Sequence, residues 1–237
     1  MLYLVYSNIQ NWEDGWQART HEWLTSPERA RLDQFGSSAR RCQFLAARLL
    51  LRQSLANIFS CEPIDIELDP MAPVCAYHVT GRRLGFVSIS HSGPWIAVAI
   101  GSHPIGVDCE RTGGKRKWRK ICRQYFAQEE AEWLLRLPRE IAETKFLQSW
   151  TVKEALAKSA GLALGTILGE AKLINGMAHW PAQFSQYRAW CTQDFEGLQL
   201  SLVSKCKAPA FRPHGHYIPM PCNPLDAAPI PLVPLSE

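Results

Sequence analysis

The feature that most constrains the fold is a pair of strand patterns followed by a long helix pattern. Residues 94–100 and 105–109 are rich in apolar and β-branched side chains, and a Gly-Ser-His-Pro sequence at 101–104 separates them. This arrangement is typical of two strands joined by a turn. A helix pattern then begins at about Pro138 and ends at Gly161, since glycine is the commonest residue just beyond a helix end. The chain is therefore expected to combine sheets and helices.

Acidic side chains lie at the ends of two of these elements. Asp108 and Glu110 are two residues apart in the predicted strand and share one face of it. Glu154 and Lys158 are four apart in the predicted helix and stack on one helix face. Three carboxylates from two elements offer the oxygen ligands of Mg²⁺, with phosphate completing its shell. Spacing alone also allows solvated acids and an ordinary surface Glu–Lys pair, because both patterns are common.

The two motifs together carry a family resemblance. The sequence G-V-D-C-E at 106–110 is followed forty residues later by W-T-V-K-E-A-L-A-K at 150–158. In this order and separation they resemble the signature of the 4′-phosphopantetheinyl transferases. Within that family they are similar to the larger, monomeric type that activates peptide and polyketide synthetases. The resemblance covers about residues 26–165. It implies transfer of 4′-phosphopantetheine from coenzyme A to a serine of an apo acyl or peptidyl carrier protein, releasing adenosine 3′,5′-bisphosphate.

The resemblance also implies a role for each residue of the two motifs. Asp108, Glu110 and Glu154 would hold Mg²⁺, which such enzymes use with coenzyme A as substrate. Lys158 would pair with a phosphate oxygen and steady the leaving group. Glu154 would accept the proton of the carrier serine, either directly or through a water molecule. Asp108 and Lys158 would also contact coenzyme A.

Arginines of the amino-terminal third are the first candidates for phosphate binding. A long helix is predicted from about 38 to 59, and guanidinium groups match phosphate oxygens in a fixed geometry. The resemblance implies that Arg31 and Arg48 hold the 3′-phosphate of coenzyme A, with Arg29 and Arg41 as further candidates. The alternative is that these arginines are solvated on the helix faces.

A serine–histidine motif supplies further candidates. A predicted strand at 85–90 ends in Ser90-His91-Ser92-Gly93, which resembles the S-H-S-G motif that touches nucleotide phosphates in the family. Two hydroxyls and an imidazole beside a glycine offer clustered donors to an oxyanion. We therefore expect Ser90 and His91 to contact coenzyme A.

The chain departs from the family pattern at two places. The F-N-L that precedes the serine motif in the family is Val-Ser-Ile at 87–89 here. The family's Gly-Lys-Pro, whose lysine reaches phosphate, is Met-Ala-Pro at 71–73. Arg82 and Arg83 are the available substitutes for the missing lysine. The second departure bears on coenzyme A affinity more than on the type of reaction.

A basic run at Lys115–Lys120 follows two glycines. The resemblance offers the acidic helix of a carrier protein as its partner, and charge complementarity would speed the encounter. A solvated loop and a nucleic-acid contact are the alternatives. Farther on, F-A-Q-E-E at 126–130 is similar to a family motif whose last glutamate lies near the active site. Glu130 matches it, although an acid also suits the start of a helix.

The expected fold class is α+β, with two similar α/β halves related by an approximate twofold axis and the active site in the cleft between them. The amino-terminal half spans 1–105 and the carboxy-terminal half spans 106–206, with further strands at 166–174, 187–191 and 198–203. Residues 207–237 hold eight of the sixteen prolines, which favours an extended tail without helix or sheet.

Composition narrows the class of protein. No apolar run reaches membrane-spanning length, and the amino terminus lacks a signal-peptide pattern, so a cytoplasmic location is expected. The resemblance to the larger type of the family implies a monomer. Eight cysteines without a C-x-x-C pair argue against a zinc site or a disulfide framework. Two other functions stay open: a Mg²⁺-dependent phosphohydrolase or nuclease, and a carrier-binding homologue with little activity. A nuclease would favour aromatic residues interleaved with basic ones, and no such run is present.

Overall fold

The computed structural model describes residues 2–114, 116–192, 197–205, 214–217, 229–231 and 233–234. Within them lie seven α-helices: α1 (Trp16–Trp23), α2 (Ser26–Asp33), α3 (Ser38–Phe59), α4 (Trp118–Tyr125), α5 (Gln128–Arg136), α6 (Arg139–Ala160) and α7 (Leu164–Leu168). The strands of the same residues are β1 (Leu2–Asn8), β2 (Ile66–Asp69), β3 (Cys75–His78), β4 (Arg83–Ser92), β5 (Trp95–Gly101), β6 (Ile105–Arg111), β7 (Lys172–Ile174), β8 (Met177–His179), β9 (Tyr187–Cys191), β10 (Leu198–Lys205), β11 (His214–Tyr217), β12 (Pro229–Pro231) and β13 (Val233–Pro234).

These strands form three sheets. The first has seven strands in the order β12-β11-β1-β5-β4-β3-β2, and the second has four in the order β13-β9-β10-β6. Strands β7 and β8 form a separate hairpin. Neighbouring strands are antiparallel except for β1 and β11, which run parallel. The predicted combination of sheets and helices is confirmed.

The side chains of the two larger sheets alternate between two apolar layers each. In the first sheet, Val5, Ile96 and Val98 pack against α3, whereas Leu4, Ala97 and their neighbours meet the second sheet. The second sheet buries its other face against α6. This alternation is the period of two expected of strands, and it places the layers in the order α3, first sheet, second sheet, α6.

Helix α6 lies unusually close to β6. A Cβ atom added at Gly106 would stand 1.9 Å from the carbonyl oxygen of Ala155 and 2.8 Å from the backbone nitrogen of Ser159. Only a residue without a side chain permits this approach, because backbone atoms cannot swing aside as a flexible side chain can. The glycine of the G-V-D-C-E motif therefore sets the distance between the strand and the helix that carry the acidic residues.

We predict that Gly106→Ala costs about 1–3 kcal/mol of stability, or more, because the new methyl group overpacks a backbone contact. The measurement is the free energy of unfolding in urea. Gly165→Ala is the matched control, since a Cβ at Gly165 meets nothing within 4 Å and alanine favours the helix there. Equal stability of the two variants would contradict the packing argument.

Several element predictions are confirmed and two are wrong. The long helices α3 and α6, and the strands β5 and β6, lie where the sequence places them. Gly161 caps α6 in the left-handed conformation, with φ of 68°. The strand predicted at 166–174 is wrong in its first half, where α7 ends at Leu168 and only β7 is extended. A short apolar run does not distinguish a strand from a buried helical turn by periodicity alone.

The carboxy-terminal segment also differs from the prediction. Residues 207–237 were expected to form no sheet, yet β11 pairs with β1, β12 pairs with β11, and β13 pairs with β9. The physical reason is that β1 and β9 each leave one side open to a further strand. Proline excludes helix but is tolerated in an outer strand, where its missing N–H is not needed.

Two findings concern the whole described region. Its six cysteines are free, and Cys75, Cys109, Cys122 and Cys191 are buried, as expected for small apolar side chains. Among the described residues, no helix combines the length and hydropathy needed to cross a membrane.

Candidate active site

The acidic site is built around Asp108 on β6. Its side chain is 4% exposed, and its Oδ1 accepts a hydrogen bond from Lys158 Nζ at 2.8 Å. Lys158, on the last turns of α6, also donates to the carbonyl oxygen of Val107 at 3.0 Å. The ammonium group therefore ties the helix to the strand through both a backbone oxygen and a carboxylate.

Glu154 lies one turn before Lys158 and beside Asp108. Burial raises the pKa of Glu154 to about 7, and the negative charge of Asp108 adds to this effect while Lys158 opposes it. An interaction of this size requires two carboxyl groups close together. The structure thus brings together Asp108 and Glu154, which are far apart in the sequence.

Glu110, the third predicted carboxylate, is engaged by two other side chains. Its Oε2 accepts a hydrogen bond from Ser92 Oγ at 2.7 Å and pairs with Arg116 Nη2 at 2.5 Å. Arg116 comes from the loop between β6 and α4. A guanidinium group thus occupies the oxygen of Glu110 that a cation would use.

The acidic residues were tested for their fit to a divalent ion. Among the described residues, no group of three or more metal-binding side chains is arranged around a common point. However, Asp108 Oδ2 is buried and has no hydrogen-bond donor, and Glu154 adds a second carboxylate beside it. Mg²⁺ commonly takes only one or two protein carboxylates and fills its shell with water and phosphate. Asp108 and Glu154 therefore fit Mg²⁺, whereas Glu110 fits it only after release from Arg116.

A cavity of about 1110 Å³ lies between the α2–α3 side of the first sheet and the end of α6. This volume is at the upper end of small-molecule and cofactor sites, which hold roughly 300–1,000 Å³. One part of its wall carries the cations Arg31, Arg40, Arg48 and Lys158, and His91 lies among them. Such a wall suits an anionic ligand with more than one phosphate.

Strand β4 contributes residues to both the cavity and the acidic site. Val87, Ser88, Ile89 and His91 line the cavity, whereas the hydroxyl groups of Ser90 and Ser92 bond to Asp108 and Glu110. Alternate residues of a strand face opposite sides. The histidine and the two serines of the S-H-S-G motif therefore act on different surfaces, and only His91 lies where a cavity ligand would meet it directly.

The other predicted phosphate ligands fall into two groups. Arg31, Arg48 and Lys158 line the cavity with His91. Arg29 instead donates to the carbonyl oxygen of Leu24 and Arg41 to that of Leu32, and neither is among the lining residues.

Arg40 is one of the arginines of the predicted helix at 38–59 that are candidates for phosphate binding, although the resemblance favours Arg31 and Arg48. Positions 40, 44 and 48 are spaced by four and therefore share one face of α3. Phe44 and Arg48 line the same cavity as Arg40.

Neither candidate substitute for the missing lysine of the Gly-Lys-Pro motif lines the cavity. Ala72 of the Met-Ala-Pro sequence lines the cavity, but Arg82 and Arg83 do not. Arg83 instead places its guanidinium group 4.2 Å from the centre of the Phe86 ring.

Arg48 is held in place by a buried acidic residue. Glu28 Oε1 lies 2.6 Å from Arg48 Nε, and Glu28 Oε2 lies 2.7 Å from Arg52 Nη2. Burial by itself would raise the pKa of Glu28, but the guanidinium groups of Arg52 and Arg48 and the N–H of Thr25 outweigh it and lower the pKa. Arg52 is fully buried, so Glu28 is its necessary counter-charge.

We predict that Glu28→Gln costs about 3–5 kcal/mol at pH 7, because it leaves a buried guanidinium unpaired. A lowered carboxyl pKa gives stability above the unfolded pKa that is lost as pH falls through the folded pKa. The difference in the free energy of unfolding between wild type and variant should therefore become smaller below about pH 4. Urea denaturation across this pH range measures it, with exposed Glu62→Gln as the control. A difference independent of pH would contradict the assignment.

Glu130, the match to the F-[SA]-x-x-E motif, lies inside the core. It is fully buried and accepts hydrogen bonds from Ser149 Oγ, Lys153 Nζ and the backbone N–H of Leu173, the last at 2.9 Å. Burial lowers the pKa of Lys153, and Glu130 opposes that shift. Glu130 does not line the cavity; it joins α5, α6 and β7.

The basic loop is described except for Lys115, which lies outside the described residues. Arg116 is bound to Glu110, and the Arg119 guanidinium stacks 4.7 Å from the centre of the Trp118 ring. Lys117 and Lys120 are exposed. The loop therefore presents positive charge to solvent while one of its arginines contacts the acidic site.

Comparison with known proteins shows what the part of the chain that carries the acidic residues is similar to. Residues 104–199 match the sequence model of the 4′-phosphopantetheinyl transferase superfamily. The matched range contains β6 and α6, and therefore Asp108, Glu110, Glu154 and Lys158. This part of the chain is therefore similar to the 4′-phosphopantetheinyl transferase superfamily.

Three relatives bear the same name. The 4′-phosphopantetheinyl transferase HetI of Nostoc sp. is 30% identical over 142 residues, which cover 58% of this chain and 60% of the relative. Sfp of Bacillus subtilis is 35% identical over 77 residues, covering 32% of this chain and 34% of the relative. The gsp protein of Aneurinibacillus migulanus is 36% identical over 74 residues, covering 31% and 30%. The chain thus spans 60% or less of the length of each of these relatives.

Proposed function

We propose that this protein transfers 4′-phosphopantetheine from coenzyme A to a serine of an apo acyl or peptidyl carrier protein. One observation carries the proposal: Lys158 donates to Asp108 and also lines the cationic cavity. A single ammonium group therefore joins the acidic residues to the phosphate-binding wall. A phosphoryl transfer needs these two sets of groups side by side.

The cationic wall would hold the phosphates of coenzyme A. Arg31, Arg40 and Arg48 supply guanidinium groups, of which Arg48 is fixed by its contact with Glu28. His91 lies within reach of the charges of Arg40 and Lys158, and burial together with these two cations lowers its pKa. A neutral histidine can donate a hydrogen bond to phosphate. Because it carries no charge, it does not repel Arg40 and Lys158 before a ligand binds.

The chemical step exchanges one P–O bond for another. The carrier serine oxygen bonds to the β-phosphorus of coenzyme A, and the bond from that phosphorus to the bridging oxygen breaks. The electron pair leaves with adenosine 3′,5′-bisphosphate, whose new charge Lys158 stabilises. The serine proton passes to Glu154, directly or through a water molecule. Most of the acceleration comes from positioning and charge stabilisation.

A Mg²⁺ ion held by Asp108 and Glu154, and by Glu110 once Arg116 releases it, would neutralise charge on the pyrophosphate. Asp108 would lie close to coenzyme A through Lys158. Ser90 contributes to this arrangement through Asp108, since its hydroxyl hydrogen bonds to that carboxylate.

The proposed fold is that of two similar halves, 1–105 and 106–206, related by an approximate twofold axis with the reaction in their cleft. In its support, α3 packs on the first sheet and α6 on the second, and residues from both halves line the cavity. The basic loop Lys115–Lys120 would receive the acidic helix of the carrier. A monomeric state and a cytoplasmic location remain predictions.

Incubation with coenzyme A, Mg²⁺ and a panel of apo carrier proteins tests the function. We expect the mass of at least one carrier to increase by one phosphopantetheine group, as measured by mass spectrometry. Asp108→Asn should lower the rate on the order of 10²–10³-fold, as loss of one preorganised charged group does. Asp65→Asn, on the 3₁₀ turn at Pro63–Asp65 and not among the residues that line the cavity, should retain the wild-type rate.

The same reaction separates the alternatives. Breakdown of coenzyme A without any change in carrier mass would indicate a phosphohydrolase. Carrier binding without either product would indicate a binding homologue. Each outcome would overturn the proposal.

His91 provides a test that needs no carrier. A bound phosphate should raise the pKa of His91, because it offsets the charges of Arg40 and Lys158. Binding then takes up a proton, and affinity for adenosine 3′,5′-bisphosphate should increase as pH falls between the bound and free pKa values of His91. NMR titration of the histidine ring protons with and without the nucleotide measures this, with His91→Asn assigning the signal. An unchanged His91 pKa would exclude it from the phosphate site.

A further inference from the structure

Three serines connect the two large sheets. Strand β6 is the last strand of the second sheet and pairs on one side with β10. On its other side, the N–H groups of Val107, Cys109 and Arg111 donate to the hydroxyl oxygens of Ser88, Ser90 and Ser92, at 3.0, 3.2 and 3.1 Å. These hydroxyls satisfy backbone donors that an edge strand would otherwise leave unpaired. We call these residues the serine row.

Two members of the serine row make a second hydrogen bond that the third cannot make. Ser90 Oγ donates to Asp108 Oδ1 at 2.7 Å, and Ser92 Oγ donates to Glu110 Oε2 at 2.7 Å. Ser90 accepts from the N–H of Cys109 and donates to Asp108, the residue before it. Ser92 accepts from the N–H of Arg111 and donates to Glu110, again the residue before it. Ser88 occupies the same position relative to Val107, where the preceding residue is Gly106 and has no side chain.

The single hydrogen of a hydroxyl group limits what Ser90 can do. A serine hydroxyl has one O–H donor, and that of Ser90 already bonds to Asp108. Ser90 is also buried. While this bond is made, Ser90 cannot donate to a phosphate, although the S-H-S-G resemblance suggests that contact.

We propose that Ser90 and Ser92 are positioning residues that fix the carboxylates of Asp108 and Glu110 for the transfer reaction, a role that rests on the proposed function. Each serine is itself fixed by the β6 N–H, so the carboxylate is held relative to its own backbone. The bonds to Ser90 and Lys158 both fall on Asp108 Oδ1. The buried Oδ2 has no hydrogen-bond donor and would be the oxygen of Asp108 that is available to a cation.

Ser92 would hold Glu110 in the same orientation for two partners, which are Arg116 and a metal ion. Ser92 and Arg116 both bond to Glu110 Oε2. If Arg116 leaves, Ser92 still holds the carboxylate in place. Groups that orient metal-binding side chains typically change affinity or rate by about 10–100-fold when removed.

The experiment compares one alanine variant at each position of the serine row. Ser88→Ala removes a hydroxyl that accepts a backbone N–H and bonds to no carboxylate. Because Ser88 also lines the cavity, this variant is the control for stability, kcat and the Mg²⁺ response but not for KM. Ser90→Ala and Ser92→Ala remove the same bond together with the bond to a carboxylate. The readouts are melting temperature, kcat, KM for coenzyme A, and the Mg²⁺ concentration that gives a half-maximal rise in melting temperature in the presence of adenosine 3′,5′-bisphosphate.

We expect all three variants to lose a similar amount of thermal stability. Only Ser90→Ala and Ser92→Ala should raise the half-maximal Mg²⁺ concentration and lower kcat, each by about 10–100-fold. Their KM for coenzyme A should change little, because the cationic cavity wall is intact. Ser92→Thr keeps the hydroxyl and should restore both quantities toward wild type, which an effect of misfolding would not do.

The outcomes separate this inference from the proposed function. If wild type transfers the group but Ser90→Ala and Ser92→Ala match Ser88→Ala in kcat and Mg²⁺ response, the positioning role is wrong. A raised KM with unchanged kcat would instead support direct coenzyme A contact and also overturn it. If wild type transfers nothing, the function fails, and the Mg²⁺-dependent melting shift still decides the inference. Absence of that shift in wild type would refute a cation site for the serines to prepare.

Discussion

The whole site depends on the close approach of α6 to β6. At Gly106 the helix and the strand meet backbone to backbone, so that a single methyl group would collide with the Ala155 carbonyl oxygen. At an ordinary helix–sheet separation, Glu154 and Lys158 would stand farther from Asp108. The close contact therefore turns two common sequence patterns, D-x-E and E-x-x-x-K, into one cluster of charges. The glycine acts through its lack of a side chain, which permits the short distance.

The elements that bear the motifs could be predicted from the sequence because their signals are local. The Gly161 helix end, the apolar stripe of α3 and the turn before β6 each depend on neighbouring residues. The proximity of Asp108 and Glu154 came from the family resemblance, and the contact with Lys158 and the raised pKa of Glu154 agree with it. Local patterns thus predict the elements, and the resemblance predicts which of their residues lie close together.

The partners of individual side chains could not be predicted in the same way, because they depend on residues distant in the chain. Glu28 on α2 pairs with both Arg48 and Arg52 on α3. These two arginines are four residues apart, and this spacing does not indicate that Arg48 lines the cavity whereas Arg52 does not. Arg116 reaches Glu110 by a loop whose path has no sequence signature. The serine row is an exception, since a period of two already separates His91 from Ser90 and Ser92. This alternation predicts that His91 faces away from Ser90 and Ser92, whereas the S-H-S-G resemblance treats these residues as one cluster of donors.

Glu130 and Lys153 have a consequence for the orientation of α6. Consecutive residues of a helix point about 100° apart around its axis, so Lys153 and the next residue, Glu154, face different surroundings. Lys153 is locked to Glu130 and to the carbonyl oxygen of Leu168, which prevents the helix from turning about its own axis. With that angle fixed, Glu154 points at Asp108. Glu130 is enclosed in the core, and it fixes the rotation of α6 through Lys153. It thereby sets the direction in which Glu154 points, although it does not itself contact the acidic site.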